Sequence, residues 1–308
     1  MKILILGYSS FCKKKIIPAI KKKFNNIKFC ICSKSQKREN IGAYAWYRNY
    51  KEALEKSEAN LVYISLANSL HYFWAKKALE KNYHVIIDKP ATLNYRQAED
   101  LVKHARKRKK LLSESVIFNY HHQISKSIKE INSLKNLNHV DARFIIPKLE
   151  KRNFRNFNKY GGGCLLDMGS YAAAAFRIFI NENYRKVTYY KLLKENKKGL
   201  NISFKIYIIF GQKSFFGYFS HNGEYENSIT LFTKRKKVTI NRVFSPPNDI
   251  NLTFQVNENN IRNEKKLQKD DAFLNYFKQI VILLRTKKFE SSYQNLLKDS
   301  FFREKLIK

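Results

Sequence analysis

The stretch that most constrains this chain is His84-Val85-Ile86-Ile87-Asp88-Lys89-Pro90. Its short β-branched apolar run reads as a buried strand. A carboxylate, an amine and a proline follow at the carboxyl end of that strand. In open parallel α/β sheets, ligands bind outside the carboxyl ends of strands, so Lys89 is placed to meet a small molecule. Pro90 ends the ladder and fixes the turn. By itself the tripeptide reads more readily as a surface Asp-Lys pair beside a loop proline. Its surroundings decide against that.

The chain before it alternates strand and helix. Lys2 to Leu6 is a strand, followed by the loop Gly7-Tyr8-Ser9-Ser10-Phe11-Cys12 and a helix carrying Ile16, Ile17, Ala19 and Ile20. A glycine-rich turn at this place lets a pyrophosphate approach backbone amides at a helix start. Only Gly7 of that pattern is present, with Ser9 and Cys12 at the second and third glycine positions. Small hydroxyl residues at Ser9 and Ser10 still allow close approach and offer bonds to phosphate oxygens. The next strand, Ile27 to Cys32, leads into Ser33-Lys34-Ser35-Gln36-Lys37-Arg38. An acid here would grip the ribose 2′-hydroxyl of NAD, whereas cations accommodate a 2′-phosphate. This stretch carries cations and serines, so a bound dinucleotide is expected to be NADP(H), with NAD(H) second. Lys51 to Lys56 reads as helix, Leu61 to Leu66 as strand, Tyr72 to Lys81 as helix and Tyr95 to Lys109 as a helix capped by Thr92 or Asn94. Leu111 to Phe118 reads as a further strand. The pattern predicts a doubly wound parallel sheet over residues 1–118.

Residues 119–308 follow a different pattern. Gln123 to Leu134 reads as helix and Asp141 to Leu149 as strand. Three consecutive glycines, Gly161 to Gly163, then open a helix through Asp167, Tyr171 and Ala172 to Ala175. Asp167 and Tyr171 are four apart and share one helix face. Such a carboxylate and phenol can orient and protonate a sugar hydroxyl or carbonyl. Five strands follow, at Val187–Leu193, Asn201–Phe210, Ser214–Ser220, Asn227–Phe232 and Lys237–Asn241. Hairpin-type links between them predict a largely antiparallel sheet. Helices over Asp271–Leu284 and Ser291–Ile307 close the chain.

The net charge of +35 would suit nucleic acid or an anionic surface. The basic residues are spread through every element, and no zinc finger, RNA-binding signature or terminal basic tail accompanies them. A solvated basic surface is therefore preferred to a nucleic-acid site. No apolar stretch is long enough to span a membrane, and the apolar N-terminus lacks a cleavage site, so a cytoplasmic protein is expected. Cys12, Cys30, Cys32 and Cys164 show no metal-ligand spacing and read as reduced thiols, with no metal expected.

In this order and spacing the segments resemble the glucose–fructose oxidoreductase and inositol dehydrogenase (Gfo/Idh/MocA) family over essentially the whole chain. The carriers are the loop at Gly7, Tyr63 to His71, His84 to Pro90, Asn153-Phe154-Arg155, Gly161 to Tyr171, Glu224 to Asn227 and Arg242 to Pro247. The resemblance implies a Rossmann domain plus an α/β domain with an open sheet, paired into homodimers or homotetramers. It implies hydride transfer between a nicotinamide and a carbon of a sugar or nucleotide-linked sugar. It places Lys89, Tyr171 and Asp167 in the catalytic set, with Asp88 standing where the family has Glu and Tyr171 where many members have His. Lys89 would donate to the reacting oxygen and the phenol would serve as general acid. The implied cofactor cleft includes Gly7, Ser9, Ser10, Phe11, Ser33, Lys34, Arg38, Leu66, Asn68, His71, Asp88 and Lys89. Alternative readings are a free-sugar or dihydrodiol-type dehydrogenase, or a non-catalytic sugar- or cofactor-sensing protein on the same fold.

Overall fold

The computed structural model describes residues 1–23, 28–180 and 187–307. Contacts divide the chain into two units, residues 1–115 with 273–300 and residues 116–272 with 301–308.

The first unit opens with β1 (Lys2–Leu6) and a wide turn, Cys12–Ile16, that runs into α1 (Ile17–Lys23). β2 (Lys28–Cys32), β3 (Ala45–Tyr47), α2 (Tyr50–Lys56), β4 (Leu61–Ile64), α3 (Asn68–Glu80), β5 (His84–Asp88), α4 (Tyr95–Arg108) and β6 (Leu112–Ser115) follow. Ile27, read as the start of the second strand, lies outside the described residues. The strands form one parallel sheet in the order β3-β2-β1-β4-β5-β6. Ile3 to Leu6, Leu61 to Ile64 and Val85 to Ile87 are fully buried, as expected for central parallel strands covered on both faces. Strand order reverses direction between β1 and β4, and the carboxyl ends at that switch are where a doubly wound sheet binds its ligand.

Several boundaries differ from the sequence expectation for physical reasons. α3 begins at Asn68 rather than Tyr72, so the polar run read as a crossover is the helix's first turn. Asn94, not Thr92, caps α4: its Oδ1 accepts from the Gln97 amide at 3.0 Å, while Thr92 is buried with its hydroxyl 3.2 Å from Ser300 Oγ. β6 stops at Ser115 instead of Phe118, because Val116 and Phe118 turn into the core of the second unit.

The second unit contains α5 (His122–Glu130), β7 (Leu137–Ile145), α6 (Cys164–Phe179), β8 (Thr188–Glu195), β9 (Asn201–Phe210), β10 (Lys213–Ser220), β11 (Glu226–Thr233), β12 (Lys236–Asn241), β13 (Thr253–Glu258) and β14 (Ile261–Lys266). These strands order as β14-β13-β12-β11-β7-β10-β9-β8, antiparallel except for the β7–β10 pair. Strand β9 alternates cleanly, with Phe204, Ile206 and Ile208 buried and Lys205, Tyr207 and Ile209 exposed. The buried face meets α6, whose Ala172 to Ala175 let the helix lie close to the sheet.

α7 (Ala272–Thr286) and α8 (Glu290–Ile307) close the chain. A cut at residue 118 assigns both to the second domain, whereas contacts place Phe273–Ser300 with the first unit. Buried polar contacts account for this. Tyr276 Oη lies 3.1 Å from Ser113 Oγ, and the Tyr293 hydroxyl donates to the Lys110 carbonyl. From Phe301 onward α8 belongs to the second unit, where the Arg303 guanidinium donates to Ser170 Oγ at 2.9 Å. Among the described residues, no helix is long and apolar enough to cross a membrane.

Candidate active site

In the first unit the predicted residues gather at the carboxyl ends of β1, β2, β4 and β5. Gly7 has φ of +94°, and a Cβ there would stand 2.1 Å from the Ser65 carbonyl oxygen, so only glycine fits this turn. That cradle at the switch point, with the amide-bearing loop and helix beyond it, fits a dinucleotide pyrophosphate. Ser10 and Phe11 are exposed, the latter ring 5.7 Å from Phe273. Ser9 differs. Its hydroxyl faces inward, 2.7 Å from Ser65 Oγ, and accepts from the Cys12 amide at 3.0 Å.

Beyond β2, Ser33 is buried and its Oγ accepts from the Gln36 amide at 3.1 Å, shaping the basic loop. Lys34 and Arg38 are exposed on that loop, with the Lys34 ammonium 5.1 Å from the centre of the Tyr50 ring. The Arg48 guanidinium braces the loop from behind, donating to the Gln36 carbonyl at 2.5 Å. Glu39, just past the residues read as acid-free, is held by Lys13 and the Tyr8 hydroxyl at 2.8 Å each. These contacts, Lys13 first, keep its carboxyl below the usual range.

Around Lys89 the backbone is pinned on each side. Asp88 accepts from the Tyr63 hydroxyl, from Ser65 Oγ at 2.6 Å and from Ser115 Oγ at 3.2 Å. Its carboxylate is therefore turned into the unit rather than toward solvent. Burial, then the Asp88 charge, pushes the Tyr63 phenol well up, so it stays a donor. The Lys89–Pro90 bond is cis, and the Ala91 amide donates to Glu114 Oε1 at 3.0 Å. His71, 1% exposed, lies between two carbonyls, Nδ1 at 2.8 Å from Pro90 O and Nε2 at 3.0 Å from Leu66 O. Burial pushes its pKa down. One ring thus ties the Leu66–Asn68 turn to the Lys89 segment, and Asn68 itself is buried. Lys89 is left half-buried on a rigid mount.

In the second unit, Gly162 permits a close backbone approach: a Cβ would stand 2.4 Å from the Arg155 carbonyl oxygen. Asp167 follows in the first turn of α6, where a carboxylate complements the helix dipole. Its Oδ1 meets Arg155 Nε at 2.9 Å and its Oδ2 meets His221 Nε2 at 3.0 Å. Both oxygens are engaged and the residue is 6% exposed. Tyr171, one turn on, is half-buried in an aromatic nest, with ring centroids 5.4 Å from Phe144, 5.5 Å from Phe244 and 6.0 Å from Phe118. Buried Asn227 sets that nest. Its Oδ1 accepts from the Phe244 amide at 2.9 Å, and its Nδ2 donates to Ser245 Oγ at 2.8 Å. The Glu224–Asn227 and Arg242–Pro247 segments are therefore one construction that holds Phe244 against the phenol.

Sequence reasoning missed His221, Tyr63, Ser65, Ser115 and Glu114. No local signal marks His221, which lies 54 positions from Asp167. Tyr63 and Ser65 had a signal: alternate positions at the end of β4, next to the strand that carries Lys89. Among the described residues, His121, His122 and Asp270 cluster tightly enough to suggest a cation site. Those side chains have other work, since His121 Nδ1 accepts from the Gln123 amide at 3.3 Å and His122 Nδ1 lies 3.0 Å from Asp270 Oδ2.

Comparison with known proteins finds relatives of similar length and fold. The chain is 27% identical over 280 residues to a dTDP-3,4-didehydro-2,6-dideoxy-alpha-D-glucose 3-reductase of Saccharopolyspora spinosa, covering 88% of this chain and 83% of that one. It is 23% identical over 292 residues to a protein of the same name from Streptomyces antibioticus, covering 91% and 88%. In fold it matches a crystal structure of a 3-ketoreductase from Actinomadura kijaniata in complex with NADP and TDP-benzene. That match has a TM-score of 0.90 at 21% identity and covers 97% of this chain and 94% of the other. An aldose-aldose oxidoreductase of Caulobacter crescentus has the same fold at a TM-score of 0.86 and 14% identity, covering 100% and 96%. Residues 1–116 match the Gfo/Idh/MocA family model, described as an oxidoreductase family with an NAD-binding Rossmann fold.

Proposed function

We propose that this protein is an NADP(H)-dependent oxidoreductase that reduces a keto group on a nucleotide-linked sugar. One observation carries the reading: Lys89 stands at the carboxyl end of β5 on a segment pinned through Asp88, Pro90 and Ala91. A cation fixed this firmly suits a group that must meet charge as it develops. The near full-length match to dTDP-sugar 3-reductases supports the substrate class.

Gly7 and the amides after it would hold the pyrophosphate, and Ser33, Lys34 and Arg38 would face the 2′-phosphate. When bound, the nicotinamide supplies hydride to the carbonyl carbon. The Tyr171 phenol would serve as general acid for the reduction, and the Lys89 ammonium would stabilise developing negative charge. Asp167, with both oxygens engaged, holds the helix that carries Tyr171. The four buried free thiols support a reducing cytoplasmic setting, and a homodimer or homotetramer is part of the same proposal.

The test is NADPH consumption with a panel of dTDP-linked keto sugars and free sugars, beside thermal-shift titrations with NADPH and NADH. At a hundred times its dissociation constant, NADPH should stabilise the fold by about 2.7 kcal/mol, with NADH well behind. Turnover on nucleotide-linked ketones alone supports the reading. Turnover confined to free sugars favours the free-sugar dehydrogenase, and a shift without turnover on any sugar favours the sensor.

A further inference from the structure

We propose that Ser9, Ser65 and Tyr63 form a hydroxyl relay through Asp88 that couples the βα loop at Gly7 to Lys89, making them positioning residues for the reaction; this rests on the cofactor reading above. The hydrogen count allows only one direction along the chain. An ionised carboxylate accepts only, so Ser65 spends its single hydroxyl hydrogen on Asp88 Oδ2 at 2.6 Å. The 2.7 Å contact between Ser9 and Ser65 then requires Ser9 to donate. Ser9 has no hydrogen left, and its oxygen accepts from the Cys12 amide at 3.0 Å. Donation therefore runs from the amide that opens the wide turn, through two hydroxyls, to the carboxylate beside Lys89. The Tyr63 hydroxyl braces the other oxygen of Asp88.

Position 9 is where the dinucleotide fingerprint has its second glycine, so that backbone can approach the pyrophosphate. Glycine has no hydroxyl to send inward. Here the residue at that position is hydrogen-bonded toward Asp88, so a ligand seated on the loop would act on Ser9. A change at Ser9 alters the polarisation of the Ser65 hydroxyl that donates to Asp88, and hydrogen bonds to a carboxylate are among the stronger ones. Lys89 is the next residue along. The field of Asp88 also reaches back toward the loop: burial, then the Asp88 charge, pushes the Cys12 thiol well up.

If the hydroxyls merely satisfied a buried carboxylate, removing one would change stability and nothing else. The distinguishing measurement is the pH midpoint of trace acetylation at Lys89. It is read by peptide mass spectrometry in the full chain, with and without NADPH, while NADPH binding is followed separately by fluorescence. Steric cover by the nucleotide changes the amplitude of labelling; only protonation moves the midpoint. In the unsubstituted protein NADPH should move the midpoint by about one pH unit. Ser65→Ala should abolish that movement while still binding NADPH, and Ser65→Thr should restore it. An equal movement in Ser65→Ala, failure of Ser65→Thr to restore it, or an unmoved midpoint in an unsubstituted protein that binds NADPH overturns the relay and leaves the cofactor reading standing. Absence of NADPH binding to the unsubstituted protein overturns both.

Discussion

Two carboxylates, one in each unit, are held in place by opposite means. Asp88 is surrounded by neutral donors, the hydroxyls of Tyr63, Ser65 and Ser115. Asp167 is clamped by a guanidinium on one oxygen and an imidazole on the other. Neutral donors fix a carboxylate without cancelling its charge, so Asp88 still projects a field onto its neighbour Lys89. A guanidinium cancels it. Asp167 therefore serves as a fastening that joins the Phe154–Gly163 turns, the end of β10 and the first turn of α6, one turn before Tyr171. One carboxylate tunes a cation; the other holds a helix in place.

The largest effect that would break this comparison lies at Lys89. Lys89→Met should lower kcat/KM on the nucleotide-linked ketone about a hundred- to ten-thousand-fold with the unfolding temperature almost unchanged. Steady-state kinetics beside a thermal melt checks it, and full turnover would remove Lys89 from the chemistry. Next come the carboxylates themselves. Asp167→Asn leaves the Arg155 charge and a buried imidazole with a weakened partner, at a cost of about 3 kcal/mol. Asp88→Asn retains an acceptor for neutral hydroxyls and should cost about 1 kcal/mol. Denaturant unfolding of both variants measures the difference. Equal costs would mean that the two sites are not built differently.

The sequence carried the first unit well because its strands are doubly buried. Uninterrupted runs such as Leu61 to Ile64 and Val85 to Ile87 are apolar for the reason they are strands. In the second unit legibility depends on alternation. β9 alternates and was placed residue for residue, while β14 is exposed along its whole length and left no apolar pattern to read. β3, three residues long and half-buried throughout, was missed for the same reason. Lys89, Asp167 and Tyr171 stand out in the sequence because motif order marks them. The groups that hold Asp167 and Asp88 are not marked in this way, because Arg155, His221, Tyr63 and Ser115 reach those carboxylates only through tertiary folding. Ser9 shows the limit most clearly. Its place in the loop suggested a phosphate ligand, yet its hydroxyl points the other way, a choice fixed by Ser65 at the end of β4.

Acid sharpens the comparison further, because each unit also holds a neutral histidine as an acceptor. His84 Nδ1 accepts from the Leu111 amide at 2.9 Å in the first unit, and His121 Nδ1 caps α5 in the second. Burial, chiefly, lowers the pKa of each from 6.5 to about 4. Between those values the unfolded chain binds more protons than the folded one, so stability rises with pH through that window. It should fall as the pH drops from 6.5 toward 4 and be flat with respect to these groups above 7. Thermal melts across that range test it. His84→Asn, which keeps an acceptor but does not titrate there, should flatten part of the slope.

The smallest effect is the control for the whole comparison. Arg106 Nη2 lies 2.5 Å from Glu290 Oε1, closer than Arg155 Nε lies to Asp167. Contact distance alone would make it the stronger pair. Its side chains are 43% and 60% exposed, however, so water screens the charges and rehydrates either one when the other is removed. Arg106→Ala should therefore cost about 0.5 kcal/mol, a few-fold in the folding equilibrium, and the cost should shrink in high salt. Asp167→Asn should stay several times larger at the same ionic strength, because the loss there is of a partner for charge that water reaches poorly. If denaturant unfolding gave the two variants the same cost, burial would not be what separates a fastening from a surface contact in this protein.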